Sequence, residues 1–252
     1  MAMDWQVFCK TVDDATVMAS CFGKGRDITY LEWMFRAWGW TLAVAACAWV
    51  IAVVIGALMG TLRTLPDSPW TVRLANAWVE LFRNIPILVQ LFLWYFVLPK
   101  LFPAMQAIPG FVLVVFALGF FTSARIAEQV RAGIQALSRG QRYAGMAVGF
   151  TTAQTYRYVL LPMAVRIILP PLTSESMNLL KNSSVAFAVS IAELTMFAMQ
   201  AQEETSRGIE IYLGVTALYA LSAFAVNRVF ALIEKKVRIP GFIVAGGVGG
   251  GH

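Results

Sequence analysis

Arg125, Glu128 and Arg131 stand three residues apart in the stretch "FTSARIAEQVRAG", and on a helix residues three or four apart share a face. A guanidinium keeps its charge and can grip a carboxylate with two parallel hydrogen bonds, so such a face suits the binding of an acidic small molecule. A second polar set follows in "TSESMNLLKNS", where Glu175, Asn178 and Asn182 repeat that spacing and Lys181 lies among apolar neighbours. Neither set supplies bond-making chemistry. The cysteines, Cys9, Cys21 and Cys47, form no metal-ligand cluster, and the single histidine is His252 in a Gly-rich tail, so the commonest metal and catalytic constellations lack their residues. Spacing alone leaves open whether Cys9 and Cys21 pair.

The elements that must position these charges are hydrophobic. The chain has 252 residues, 59% apolar and 13% charged, and soluble domains carry nearly twice that charged fraction. With a mean hydropathy of +0.68, this reads as an all-α polytopic membrane protein. Crossing hydrocarbon takes about 20 apolar residues. Trp38 to Leu62 meets that length, and a second span is expected from about Leu74 to Leu98, amphipathic at first around Glu80 and Arg83. A third runs from about Pro109 into the stretch quoted above, a fourth follows Pro170 and Pro171, and "IYLGVTALYALSAFAVN" is the fifth. The N-terminal "MAMDWQVFCKTVDDATV" lacks the layout of a cleaved signal peptide.

Lys and Arg favour the cytoplasmic side. Arg131, Arg139, Arg142, Arg157 and Arg166, with Lys235, Lys236 and Arg238, place the connection after span three and the C-terminus inside. The acidic connection with Glu203, Glu204 and Glu210 then lies outside, as does the N-terminus, whose tail is mixed in charge: Lys10, Lys24, Arg26 and Arg36 against Asp4, Asp13, Asp14, Asp27 and Glu32. The basic residues sit between hydrophobic runs and form no single stripe, so the formal charge of +6 reflects topology and excludes nucleic acid as the partner. No phosphate loop of the G-x-x-x-x-G-K-[ST] kind is present, nor an internal repeat that would mark an inverted-repeat secondary transporter.

The inside connection, "RGQRYAGMAVGFTTAQTYRYVLLPMAVRIILPP", is too polar to cross the membrane and too patterned for a passive linker. Gln141 to Val148 should be helical, with Gly149 ending it in a left-handed conformation. Thr151 or Thr152 can cap a second stretch, Ala153 to Leu161, which Pro162 stops. Tyr143, Tyr156 and Tyr158 are then available to insert into a partner. Here the sequence resembles the permease subunits of ABC importers for polar amino acids, whose signature is Glu-Ala-Ala, three residues, Gly, nine residues, Ile, one residue, Leu-Pro. Tyr143-Ala144-Gly145, Gly149, Val159 and Leu161-Pro162 keep every spacing, with Tyr143 in place of Glu and Gly145 in place of the second Ala. "VELFRNIPILVQLFLWYFVLP", "IAEQVRAGIQALSRGQ" and "MNLLKNSSVAFAVSIAEL" look like that family's second, third and fourth spans, and the whole resembles the glutamate/aspartate permeases most.

The resemblance implies an ABC type I importer permease fold of about five transmembrane helices with a cytoplasmic coupling helix. It implies an N-terminal extracytoplasmic tail over 1–37, a permease domain over 38–239 with the coupling loop at about 138–166, and a disordered tail over 240–252. The setting is the bacterial inner membrane. The implied partners are an ATP-binding subunit homodimer, a second permease that is a paralogue, and a periplasmic amino acid binding protein. No cofactor is expected in this chain, and ATP-Mg belongs to the ATPase subunits. Tyr143, Ala144, Gly145, Gly149, Val159, Leu161 and Pro162 carry the coupling role. The alternative is an amino acid transporter driven by an ion gradient.

For the charges, two readings stand. In one, Arg125, with Asn182, Asn178, Lys181 and Glu128, binds the substrate's acidic side chain near the midplane; Asn182, where relatives often have Asp, and Arg125, where they have Tyr, both move the site toward positive potential. In the other, the third helix leaves the membrane near Arg125, and Glu128 is the intrahelical partner of Arg125 and Arg131. Lys181 reads equally as a structural cation paired with Glu175 or Glu128.

Overall fold

The computed structural model describes residues 3–13, 17–18, 21–22, 28–66 and 68–237. The tail expected over 240–252, with Arg238 and His252, lies outside the described residues, as do Asp14, Lys24, Arg26 and Asp27. The first long helix, α1 (Tyr30–Leu62), begins where Thr29 and Glu32 form a reciprocal capping box, eight residues before the expected Trp38. Along it Val44, Ala48, Ala52, Gly56 and Gly60 recur every fourth residue and are buried. This narrow ridge of small residues lies against the later helix α4 (Gly110–Gln135), an arrangement suited to hydrocarbon, where close backbone approach drives helix association.

The second span is broken. Helices α2 (Pro69–Asn84) and α3 (Ile87–Leu101) meet at 104°, which corrects the expectation of one continuous segment from Leu74 to Leu98. Pro86 is the cause: the residue before a proline is driven out of the helical region, and Ile85 is extended with φ −93° and ψ 130°. The buried amide of Gln90 closes the corner by donating to the carbonyls of Phe82 at 2.8 Å and Ile85 at 2.9 Å.

After the short helix α5 (Arg139–Ala147), α6 (Thr152–Val189) leads to α7 (Leu194–Thr205) across a 53° bend, and α8 (Gly208–Val237) returns. Pro162 does not stop α6, contrary to expectation, and Pro170 and Pro171 lie inside it instead of preceding the fourth span. A proline removes one donor and crowds the carbonyl four residues back. Here a wide turn at Tyr156–Leu160 shifts the ladder, with the Leu161 N–H reaching Tyr156 O. A second wide turn at Leu93–Val97 precedes Pro99 in the same way. At the 53° bend the fully buried Glu193 accepts from the Thr195 and Met196 N–H groups at 2.9 and 3.0 Å and from the Tyr219 hydroxyl at 3.0 Å. Three helices are long and apolar enough to span a membrane alone, and five spans result if each bent pair counts as one, matching the expected number.

The two ends of the bundle differ. Cys9 and Cys21 are disulfide-bonded, and the N-terminal lobe rests on the α7–α8 turn: Asp4 N–H donates to Glu210 at 2.8 Å and the Tyr30 hydroxyl to Glu204 at 2.8 Å. At the opposite end the Tyr156 hydroxyl donates to Thr64 O just past α1. The N-terminal lobe and acidic turn therefore share one end, and the basic loop occupies the other.

A Cβ on Gly60 would stand 2.6 Å from Ala127 O and 2.6 Å from Val130 Cβ, both on α4. Gly60→Val should therefore force α1 from α4 at a cost of about 1–3 kcal/mol. The check is the melting temperature of the purified protein, which should fall by several degrees; an unchanged value would contradict this packing.

Candidate functional site

Helix α4 is the centre of the bundle, and between Gly110 and Arg131 its one exposed residue is Arg125. At a rise of about 1.5 Å per residue Arg125 stands about 22 Å from the start of α4, and the helix continues to Gln135. Helix α4 therefore does not end at Arg125. The guanidinium makes a bidentate ion pair with Glu175 of α6: Nε to Oε2 is 2.8 Å and Nη2 to Oε1 is 3.1 Å. The Glu175 side chain is only 7% exposed, whereas that of Arg125 is 44% exposed. The side of Arg125 away from Glu175 is therefore open to whatever lies beyond this chain.

Glu128 has different partners. Its Oε1 lies 2.9 Å from Arg63 Nη1 and 3.1 Å from Arg83 Nη1, and its Oε2 lies 2.9 Å from Arg131 Nη2. Arg63 also donates through Nε to Asn76 of α2 at 2.6 Å, and Arg83 pairs with Glu80 at 3.2 Å. Three guanidiniums and two carboxylates thus join the ends of α1 and α2 to α4. The expectation that Glu128 pairs with both Arg125 and Arg131 is half corrected. Helical side chains lean toward the N-terminus, so Arg131 reaches back to Glu128 while Arg125 leans away from it toward α6. Arg63 was absent from the sequence reading because it lies far along the chain from Glu128.

Asn178, Lys181 and Asn182 make no side-chain hydrogen bond or ion pair among the described residues. Asn178 and Asn182 are half-buried on the Glu175 face of α6, about one and two turns further along. Lys181 is exposed and pairs with neither Glu175 nor Glu128, correcting that expectation: six residues from Glu175, it lies about 120° round the helix.

Apart from the helix running on through Pro162, the loop side of the molecule is built as the spacing suggested, with one exception among its tyrosines. Gly149 has φ +85°, and the Phe150 N–H returns to Gly145 O at 3.1 Å, closing α5. Thr151, not Thr152, caps α6, in a reciprocal box with Gln154. A Cβ on Gly145 would stand 2.9 Å from Thr155 Cγ2, so this glycine lets α5 lie on α6. Tyr143 and Tyr158 are exposed, with Met146, Val148 and Phe150 beside them in sequence, and Ala144 and Pro162 are also open. Tyr156 is the exception, buried with its hydroxyl on Thr64 and unable to insert into a partner. Val159 and Leu161 are half-buried, and Leu161 packs against the core cluster that includes Tyr156 and Leu160.

Residues 52–239 match the family model described as binding-protein-dependent transport system inner membrane component. Over 225 residues the chain is 42% identical to the glutamate/aspartate import permease protein GltJ of Escherichia coli (strain K12), covering 85% of this chain and 91% of that one. It is 32% identical over 217 residues to the probable amino-acid ABC transporter permease protein PatM of Vibrio harveyi, covering 84% and 97%. Among solved structures, an amino acid ABC transporter with histidines matches with a TM-score of 0.71 at 32% identity, covering 82% of this chain and 95% of that one. An inward-facing MetNI methionine ABC transporter matches with a TM-score of 0.69 at 22% identity over 83% and 98%, a likeness of fold alone.

The charged network predicts unequal effects of two similar substitutions. Glu128→Gln removes the one carboxylate shared by three arginines and should cost about 1–3 kcal/mol. Glu80→Gln breaks only an exposed pair and should cost under about 0.5 kcal/mol. Thermal unfolding of the two variants in the same detergent should separate them, and equal losses would contradict the central place of Glu128.

Proposed function

The chain belongs to the binding-protein-dependent transport system inner membrane components, as a permease subunit of an amino acid ABC transporter, and from that premise we propose that it forms half of an import path for glutamate or aspartate. The observation that carries the substrate reading is Arg125, a half-open guanidinium on the central helix, exposed where the chain's own helices leave it uncovered. The likeness to a glutamate/aspartate permease supports the same class. Arg125 grips the side-chain carboxylate, while Asn178 and Asn182, further along the Glu175 face of α6, offer neutral amides along the approach. Lys181 adds positive potential nearby, and Glu128 holds the inner ends of α1, α2 and α4 beside the path.

The N-terminal lobe and the α7–α8 turn face the periplasm, and the α5–α6 loop and C-terminus face the cytoplasm. The Cys9–Cys21 bond supports this orientation, because disulfides persist in oxidising compartments, and so does the basic loop at the other end. A periplasmic amino acid binding protein delivers substrate to the lobe side. A paralogous second permease covers the open side of Arg125, and a homodimer of ATP-binding subunits, which hydrolyse ATP-Mg, docks on the exposed α5 face around Tyr143 and Met146.

Coupling follows from continuity. The second half of the loop and the residues facing Arg125 belong to one helix, α6, running from Thr152 to Val189. Movement of the loop by the ATPase subunits displaces Glu175, Asn178 and Asn182 along with it, and the path alternates between outward and inward openings, each state favoured by a different ligand.

Glutamate uptake by complexes assembled with intact partners tests the substrate reading. Arg125→Ala should lower uptake by at least about tenfold, and Arg125→Lys should recover only part, since an ammonium cannot form the two parallel bonds. Wild-type affinity and rate in both variants would remove Arg125 from the path. Coupling is tested by Tyr143→Arg and by Gly149→Val, which should leave insertion intact yet uncouple ATP hydrolysis from uptake. Gly149→Asn should be milder, because asparagine tolerates the left-handed backbone; unchanged coupling in Tyr143→Arg and Gly149→Val would sink the docking assignment.

A further inference from the structure

The group that Arg125 holds in this structure is itself the side chain of a glutamate. Glu175 offers both carboxylate oxygens to Nε and Nη2, at 2.8 and 3.1 Å, the two-point contact that the side chain of a free acidic amino acid would make. The carboxylate is 7% exposed, so it occupies the protected side of the guanidinium, while Nη1 has no hydrogen bond among the described residues. We propose that Glu175 is a built-in stand-in for the substrate carboxylate, released from Arg125 when substrate arrives and re-engaged when it leaves, so that a ligand must bring a carboxylate of its own to take its place. The proposal rests on the reading of Arg125 as the carboxylate grip.

Three physical points support the exchange. First, an uncompensated cation at this depth is expensive, so an importer that spends part of its cycle empty needs an internal counter-ion. Glu175 fills that role without closing the site, since Arg125 stays 44% exposed. Second, an incoming carboxylate replaces one ion pair by another of the same chemistry, so the swap is near balance. Releasing Glu175 leaves its carboxylate without a cation whichever ligand arrives, but an amide such as that of glutamine would leave Arg125 without an anion as well, so the wrong ligand meets the larger penalty. Third, the displaced carboxylate has a neighbour to turn to: Asn178 is three residues on, on the same face of α6, with amide donors that no side chain uses among the described residues. Because Glu175 lies on the helix that begins in the coupling loop, the same displacement that opens the path also changes its reach to Arg125.

Glu175 is thus a positioning residue, and its test needs a reading that a merely structural pair would not move. Equilibrium binding of radiolabelled L-glutamate and L-glutamine is measured on the complete complex of both permeases and the ATPase subunits, without the binding protein. Glu175→Gln keeps an acceptor for Arg125 but removes the competing charge. If the pair is formed about nine-tenths of the time, glutamate should bind about tenfold more tightly, since apparent affinity scales with the competent fraction. Glutamine should gain less, because the variant removes the charge that repels a bound carboxylate and leaves Arg125 without an anion, so the preference for glutamate widens. Glu175→Asp, one methylene shorter, should tighten glutamate less and serves as the test if Glu175→Gln does not assemble. Unchanged or weaker glutamate binding in the variant that assembles, with binding abolished by Arg125→Ala, overturns the stand-in role while the Arg125 grip survives. Wild-type binding by Arg125→Ala overturns both.

Discussion

Hydrocarbon offers no hydrogen bonds, so every polar group that enters it must be answered from within the protein. Much of the irregular geometry of this chain is a response to that constraint. Gln90 donates to the two carbonyls freed at the Ile85-Pro86 corner, and Glu193 receives the N–H groups freed where α6 gives way to α7. Wide turns before Pro99 and Pro162 absorb the donor that each proline lacks. Arg125 and Glu175 answer each other, and Glu128 answers three arginines near the end that carries the basic loop. The breaks in these helices therefore coincide with polar side chains that close them.

Against this, the α1–α4 contact uses almost no polar chemistry. Its small residues let two backbones approach until a single added methyl at Gly56 or Gly60 would collide with the facing helix. Such a contact is stiff, because it is made of backbone and short side chains with little rotamer freedom. α6 meets α4 in two ways, through a close contact where Gly133 faces Ile168 and through the Arg125–Glu175 pair, and it is continuous with the loop. These contacts fix where Arg125 emerges, since the residues around it on α4 are held by α1, α2 and α6.

Much of this was legible in the sequence. The five apolar runs located five spans, because the length needed to cross hydrocarbon is set by helix rise. The left-handed Gly149 and the cap at Thr151 followed from residue types whose backbone preferences are local. The start of α1, eight residues ahead of the apolar run that begins at Trp38, is also a local signal, since Thr29 and Glu32 have capping-box spacing. Pro162 and the pair Pro170-Pro171 misled for the opposite reason. The effect of Pro162 depends on whether the turn before it can widen, which involves packing around Tyr156, whose hydroxyl is tied to Thr64 ninety-two residues away, whereas Pro170 and Pro171 lie within regular helix with no such turn before them.

The charges mark the boundary most sharply. Helical spacing alone put Arg125, Glu128 and Arg131 on one ladder and Glu175, Asn178 and Asn182 on another, because residue type and a period of 3.6 are properties of the chain. It could not say which carboxylate each arginine takes. A pair such as Arg125 with Glu175 or Arg63 with Glu128 joins residues dozens of positions apart, and depends on which helix faces are brought together and which way each side chain leans. The sequence by itself determined a membrane-spanning helical chain, its basic and acidic ends and the residues able to grip an anion. Only the packing of α4 against α6 decided that Arg125 is already occupied by a carboxylate of its own chain, since that choice is made by geometry across the bundle and leaves no local signature.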